Sequence, residues 1–295
     1  MPMNENEVNR IADTEISQQT LTGERAAFMA QNASFVNSTF EEGESPLKHS
    51  KNITLTGTNF KWKYPLWYAN NVTMKNGTVF DMGRAGIWYT DNISLEHVVI
   101  EAPKGFRRCK TVSLTDVHFS NAAETLWHCD DVTMQDVYAK GDYFAMNASN
   151  MRIDNLTLVG NYPFDGVKNI EVRNSKLISK DSFWNSENVT IYDSYISGEY
   201  FGWNSKNVTL VNCTVESLQG FCYIENLVLK NCTLINTNLA FEYSTVDATV
   251  TSRIDSVKNP LSGTIRAKEI GEIILEPEKV DVTKTCIITE NGENA

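Results

Sequence analysis

A nine-residue pattern, seen clearly in Asn207-Val208-Thr209-Leu210-Val211-Asn212-Cys213-Thr214-Val215, returns along most of this chain at almost constant spacing. Copies begin at Asn32, Asn52, Asn71, Asn92, Thr111, Asp131, Asn150, Asn169, Asn188, Asn207 and Asn226, in steps of 19 to 21 residues. A period this short and regular belongs to a solenoid, whose turns stack only on their neighbours.

Within one turn, counted from the leading Asn as zero, position one is apolar (Ile53, Val72, Ile93, Val208) and so is position three (Leu55, Met74, Leu95, Leu210). Thr or Ser usually stands between them, as in Thr54, Thr73, Ser94 and Thr209. Alternation of period two with β-branched enrichment predicts a strand with one face buried. Position five reads Asn37, Gly57, Asn76, His97, Asp116, Asp136, Asn155, Asn174, Asp193, Asn212 and Asn231. Nearly all of these tolerate a left-handed backbone, so the chain is expected to bend there in every turn, with stacked amides forming ladders. The leading Asn column predicts a second corner. A further inward column lies five residues before each leading position: Leu47, Leu66, Ile87, Phe106, Leu126, Phe164, Phe183 and Phe221.

Three short strands per turn, with no room for a helix, predict an all-β fold: a single-stranded, right-handed parallel β-helix of about 11–12 turns with a mostly 19-residue repeat. One domain over 1–295 is expected, with 1–31 as N-terminal cap, 32–244 as regular coils and 245–295 as C-terminal cap and tail.

Charge and composition narrow the function classes. The net charge of −11 argues against a nucleic-acid surface, which needs a basic stripe, and against an anionic membrane. The N-terminal residues carry neither a basic nor an apolar signal region, so a cytoplasmic location is expected. The six cysteines show no metal spacing and several follow the repeat, Cys213 with Cys232 and Cys109 with Cys129, which predicts free thiols. His49, His97, His118 and His128 never come two to a strand, and neither a metal nor another cofactor is expected.

Four residues before each leading position stands the column Lys48, Trp67, Trp88, Arg107, Trp127, Met146, Asp165, Trp184, Trp203, Cys222, Phe241. It alternates with the inward column and is expected to face out, beside His49, Tyr68, Tyr89, Arg108, His128 and Tyr223, with Tyr64 upstream. Tyr64, Trp67, Tyr68, Trp88, Tyr89, Trp127, His128, Trp184, Trp203 and Tyr223 are thus candidate ligand-binding residues, their ring faces suited to sugar stacking. Candidate catalytic groups are Arg84, Arg107 and Arg108, which suit a uronate or an enolate, and Asp142, Asp165 and Glu199, which with Asp181 suit acid–base glycoside hydrolysis.

Thr22-Gly23-Glu24-Arg25-Ala26, Tyr64-Pro65-Leu66-Trp67, Arg84-Ala85-Gly86-Ile87-Trp88-Tyr89 and Gly198-Glu199-Tyr200-Phe201-Gly202-Trp203 carry a resemblance, continued by Leu239-Ala240-Phe241-Glu242 and Val257-Lys258-Asn259-Pro260. The chain resembles an uncharacterised bacterial family, domain-of-unknown-function family three-seven-three-seven, within the pectate-lyase-like β-helix superfamily. That resemblance implies the β-helix fold and transfers no catalytic residue. The wider superfamily, rich in polysaccharide lyases and glycoside hydrolases, suggests a carbohydrate-active protein by analogy of fold only. Two alternatives stand beside it: a non-catalytic scaffold binding glycan or protein, and a homo-oligomer that buries the aromatic face.

Overall fold

The computed structural model describes residues 11–290 and 292. The first ten residues, expected to begin the N-terminal cap, and residues 291 and 293–295 of the expected tail lie outside the described residues.

The chain coils into a parallel β-solenoid of about 14 turns, and among the described residues the only helical element is the short 3-10 turn Val282–Lys284. Position one pairs with position one of the next turn throughout, for example Ile93 with Val112 and Val189 with Val208. Repetition of the apolar columns sets this register, because a slip of one residue would turn every inward side chain to solvent. Two walls belong to one 22-stranded sheet. In some turns a single strand runs through the bend between them, as in Asp91–Ile100 and Ser149–Val159.

The turn count exceeds the 11–12 read from the leading column, because rungs also form where that column lapses. Glu15–Ser17 pairs with Ser34, Phe35 and Val36 ahead of the first Asn. Beyond Asn226 the stack continues through Thr245–Val250, Ser262–Ala267 and Thr285–Thr289. There Thr245 pairs with Ser262, 17 residues on, and Gly263 with Thr285, 22 residues on. Strand pairing tolerates those unequal loops, whereas a search by period does not.

Both expected corners are left-handed in every copy from Asn32 to Asn226: φ is 54° at Asn207 and at Asn212, and +60° at Gly57. Amide ladders run along them. Asn188 donates to Asn169 at 2.8 Å, Asn207 to Asn188 at 2.8 Å and Asn226 to Asn207 at 2.9 Å. A third left-handed corner follows the third wall and is occupied by bulky residues, including Tyr68 (φ 55°), Tyr89 (57°), Arg108 (52°) and His128 (55°). Neighbouring turns brace it, the Tyr89 N–H donating to the Arg107 carbonyl at 2.9 Å and the Arg108 N–H to Trp127 at 2.9 Å.

Inside, aliphatic columns fill the coil and small polar residues finish it. The hydroxyl of Thr90 donates to the Leu66 carbonyl at 2.6 Å and that of Ser205 to Phe183 at 2.6 Å. The thiol of Cys109 makes the equivalent contact with Ile87 at 3.2 Å. A phenylalanine column runs through the second half of the core: Phe164 stacks on Phe183 at 4.8 Å, and Phe221 on Phe241 at 5.7 Å.

Candidate ligand face along the third wall

From Leu66 to Arg107 the third wall is made of two-residue strands whose first residue enters the core and whose second faces out. Leu66, Ile87 and Phe106 are fully buried, while Trp67, Trp88 and Arg107 line up outside in direct register. The rings of Trp67 and Trp88 lie 5.2 Å apart and 6° from parallel. The Arg107 guanidinium continues the stack, 4.5 Å from the ring centroid of Trp88 and 4.6 Å from that of Trp127. Four indole N–H groups are consumed by the following turn: Trp67 donates to Ala85 at 2.6 Å, Trp88 to Lys104 at 2.9 Å, Trp127 to Tyr143 at 2.7 Å and Trp184 to Tyr200 at 3.2 Å.

This geometry corrects one expectation. Rings stacked along the solenoid axis cover one another's faces and turn their edges to solvent. Rows of open faces for sugar stacking are therefore absent between Trp67 and Trp127. The cause is the pairing itself, which sets successive side chains at roughly the ~4.8 Å strand spacing, close to a ring-stacking distance.

The stack forms a ridge with a groove on each flank. On one flank Tyr64, Trp67, Arg84, Trp88, Pro103 and Lys104 enclose a mostly apolar groove of about 300 Å3. Tyr64 leans over Trp67 at 4.6 Å and 47°. On the other flank Tyr89, Arg108 and His128 line an open cavity of about 500 Å3. Tyr68 stacks on Tyr89 at 4.8 Å and 4°, and both are exposed. The ridge thus separates the cationic groups of this wall: Arg84 and Lys104 lie to one side, Arg108 and His128 to the other. Arg107 lies within the ridge, 3.4 Å from Glu124, whose carboxylate also takes Lys104 at 3.1 Å. An Arg107–Arg108 pair acting on one ligand does not form.

Further along, Met146 and Asp165 interrupt the ridge. It resumes in tilted form, Trp184 to Trp203 at 6.2 Å and Trp203 to Tyr223 at 4.7 Å. Cys222 and Phe241, expected to face out, are buried. The inward residue of this wall slips between turns, Phe201 standing one place ahead of the column and Phe241 one behind, because a large ring fills the core from either position.

Each candidate carboxylate is engaged locally. Asp165 accepts from the Asn185 amide at 2.9 Å as part of a corner ladder. Asp142 accepts from the Asn161 N–H at 2.7 Å, and Glu199 pairs with Lys180 at 3.3 Å. Asp181 is 2% exposed and its Oδ1 has no partner among the described residues; burial raises its pKa above the ordinary aspartate range, with Lys180 opposing. Pro103, Lys110, Asp91 and Asp130 line the two cavities and were not singled out from the sequence. The last three fall one residue before a leading position, a column whose charges the repeat pattern does not distinguish from a solvated rim.

The thiols are free, all buried except Cys286, and burial pushes Cys213 up to about 11 and Cys222 up to about 12. Among the described residues no three His, Cys, Asp or Glu side chains converge as a metal site, and no helix is long and apolar enough to cross a membrane.

Uniform parallel rungs, corner ladders and an aromatic outer wall define a parallel β-helix of the single-stranded solenoid class. The chain belongs to the family described as Protein of unknown function (DUF3737), whose profile matches residues 14–288. Among solved structures it is similar to PfbA, a surface adhesin of Streptococcus pneumoniae, at 10% identity and TM-score 0.36, covering 89% of this chain and 87% of that one. A tailspike protein of an Escherichia coli bacteriophage, in complex with a pentasaccharide, matches at 10% identity and TM-score 0.39, covering 94% and 74%. The A-module of a mannuronan C-5 epimerase from Azotobacter vinelandii matches at 10% identity and TM-score 0.29, covering 90% and 87%. No curated protein sequence matches the chain.

Proposed function

We propose that this solenoid is a non-catalytic binding module for an acidic oligosaccharide, seated in the groove of Tyr64, Trp67, Arg84, Trp88 and Lys104. The supporting observation is the groove's chemistry: a mostly apolar floor of ring edges and Pro103 beneath two cationic side chains on a chain of net charge −11. Arg84 forms no ion pair among the described residues, and an arginine fork binds a uronate carboxylate in two parallel hydrogen bonds. Apolar walls with a few placed polar groups are the usual make-up of a small-ligand site. The reading is non-catalytic because Asp142, Asp165 and Glu199 are each held in a separate local interaction.

Titration with neutral and uronic oligosaccharides, followed by tryptophan fluorescence and product analysis, tests it. The expected result is a response to the uronic series alone, without new reducing ends or unsaturated products, weakened about tenfold by Arg84→Gln. Product formation would make the protein an enzyme. Silence across the panel, with a concentration-dependent increase in mass, would make the aromatic wall an interface.

A further inference from the structure

The two outward columns of the third wall treat the same gap differently. In the ridge, the space between Trp88 and Trp127 is filled by the Arg107 guanidinium, in cation–π contact with both rings. One residue along, Tyr89 and His128 are also two rungs apart, roughly 10 Å at ~4.8 Å per rung, with Arg108 between them. Arg108 does not fill that gap. It makes no cation–π contact with either ring among the described residues, and the space is an open cavity of about 500 Å3. One face of Tyr89 is covered by Tyr68; its other ring neighbour, Trp88, meets it at 6.5 Å and 77°, and no ring stacks parallel on the second face among the described residues.

The charges around the cavity are unequally committed. Asp130 accepts from the Ser149 hydroxyl and the Asn150 amide, both at 2.7 Å, and Asp91 accepts from the Lys110 N–H at 3.1 Å. Arg108, Lys110 and His128 form no ion pair among the described residues. A guanidinium without an ion pair, beside an aromatic face on which no ring stacks and carboxylates already held by other donors, calls for a guest with a flat ring and an acidic group.

We infer that the cavity between Tyr89 and His128 binds a planar aromatic anion of the nucleoside monophosphate type. The base inserts against the free face of Tyr89, as Arg107 inserts against Trp88, and the phosphate is taken by Arg108 with Lys110 beside it. Stacking and charge act together, so neither half of the ligand suffices alone.

Calorimetric titration of the full chain with adenosine 5′-monophosphate, adenosine and inorganic phosphate tests the inference. Tyr89→Asn and Arg108→Asn are suitable variants, because Asn already occupies this left-handed corner at 147, 185 and 204, with φ of 53°, 52° and 58°. The monophosphate is expected to bind at least tenfold more tightly than adenosine or phosphate, and each variant to weaken it about tenfold while keeping the wild-type circular dichroism spectrum at the titration temperature. Arg84→Gln, in the opposite groove, should leave this binding unchanged, which separates the inference from the saccharide reading. Equal affinity for phosphate alone would reduce the cavity to an anion patch and overturn the inference. Absence of binding at millimolar monophosphate, or binding untouched by either variant, would do the same.

Discussion

The guanidinium of Arg107 lies 4.5 Å from the ring centroid of Trp88, in the position that another indole would take were the column all tryptophan. A cation therefore completes an aromatic stack, with Trp127 behind it and Glu124 at its edge. Arg107→Ala removes two cation–π contacts and leaves a gap between two indoles. At about 1 kcal/mol per contact it should lower stability by roughly 2 kcal/mol, a fall of several degrees in thermal midpoint. Arg107→Lys should recover only part of this, since an ammonium cannot stack flat on both rings. Thermal denaturation followed by circular dichroism measures both, and an unchanged midpoint in Arg107→Ala would remove the stabilising role.

Corner ladders and backbone strain can be separated at Asn207. Its amide donates to Asn188 at 2.8 Å and its carbonyl oxygen accepts from Asn226 at 2.9 Å, with φ at 54°. Asn207→Gly loses the ladder alone, about 1 kcal/mol for exposed bonds. Asn207→Ala also carries the left-handed penalty, about 1 kcal/mol more. Equal midpoints for the two variants would show that the corner is unstrained.

Asp181 gives a pH dependence of defined sign. Burial raises its folded-state pKa above the ordinary 3.8, so the fold prefers the protonated carboxyl. Its ionisation costs stability as pH rises from the ordinary aspartate value through the raised one, and that cost is fully present above the raised value. Asp181→Asn should therefore raise the thermal midpoint at neutral pH, by an amount on the order of 1 kcal/mol for a buried oxygen without a partner. Below about pH 3, where aspartates are protonated in both states, the difference should vanish. Parallel melting curves at the two pH values check it.

Thiol reactivity follows burial. Cys286 alone is exposed, and Cys213 and Cys222 are held up to about 11 and about 12, so neither forms thiolate at about pH 8. Native protein should react with a thiol reagent at one site and denatured protein at six. Cys109→Ser should cost under about 1 kcal/mol, because Ser205 already makes the corresponding hydroxyl-to-carbonyl bond in another turn.

Period-two alternation and residues that tolerate a left-handed backbone act locally, and they made two walls and two corners legible in the sequence. Parallel register followed from their repetition, and membership of the family from segments such as Arg84 to Tyr89. The third corner was hidden, since Tyr68, Tyr89, Arg108 and His128 adopt φ near 55° against their own preference. Their backbone N–H groups, donating to carbonyls of the next turn, hold them there. Phe201 and Phe241 could not be assigned to one column, because a phenyl ring reaches the same core space from adjacent backbone positions.

The candidate site divides in the same way. The sequence alone determined that tryptophan, tyrosine and arginine gather on one outer wall, because alternation with a buried column leaves them nowhere else to go. Tertiary structure decided that the rings stack edge-out along the axis, that Arg107 is enclosed while Arg108 is open, and that the acids are engaged apart. Each of those outcomes depends on what stands one rung away, some 20 residues distant in the chain, at a spacing set by the pairing of the strands.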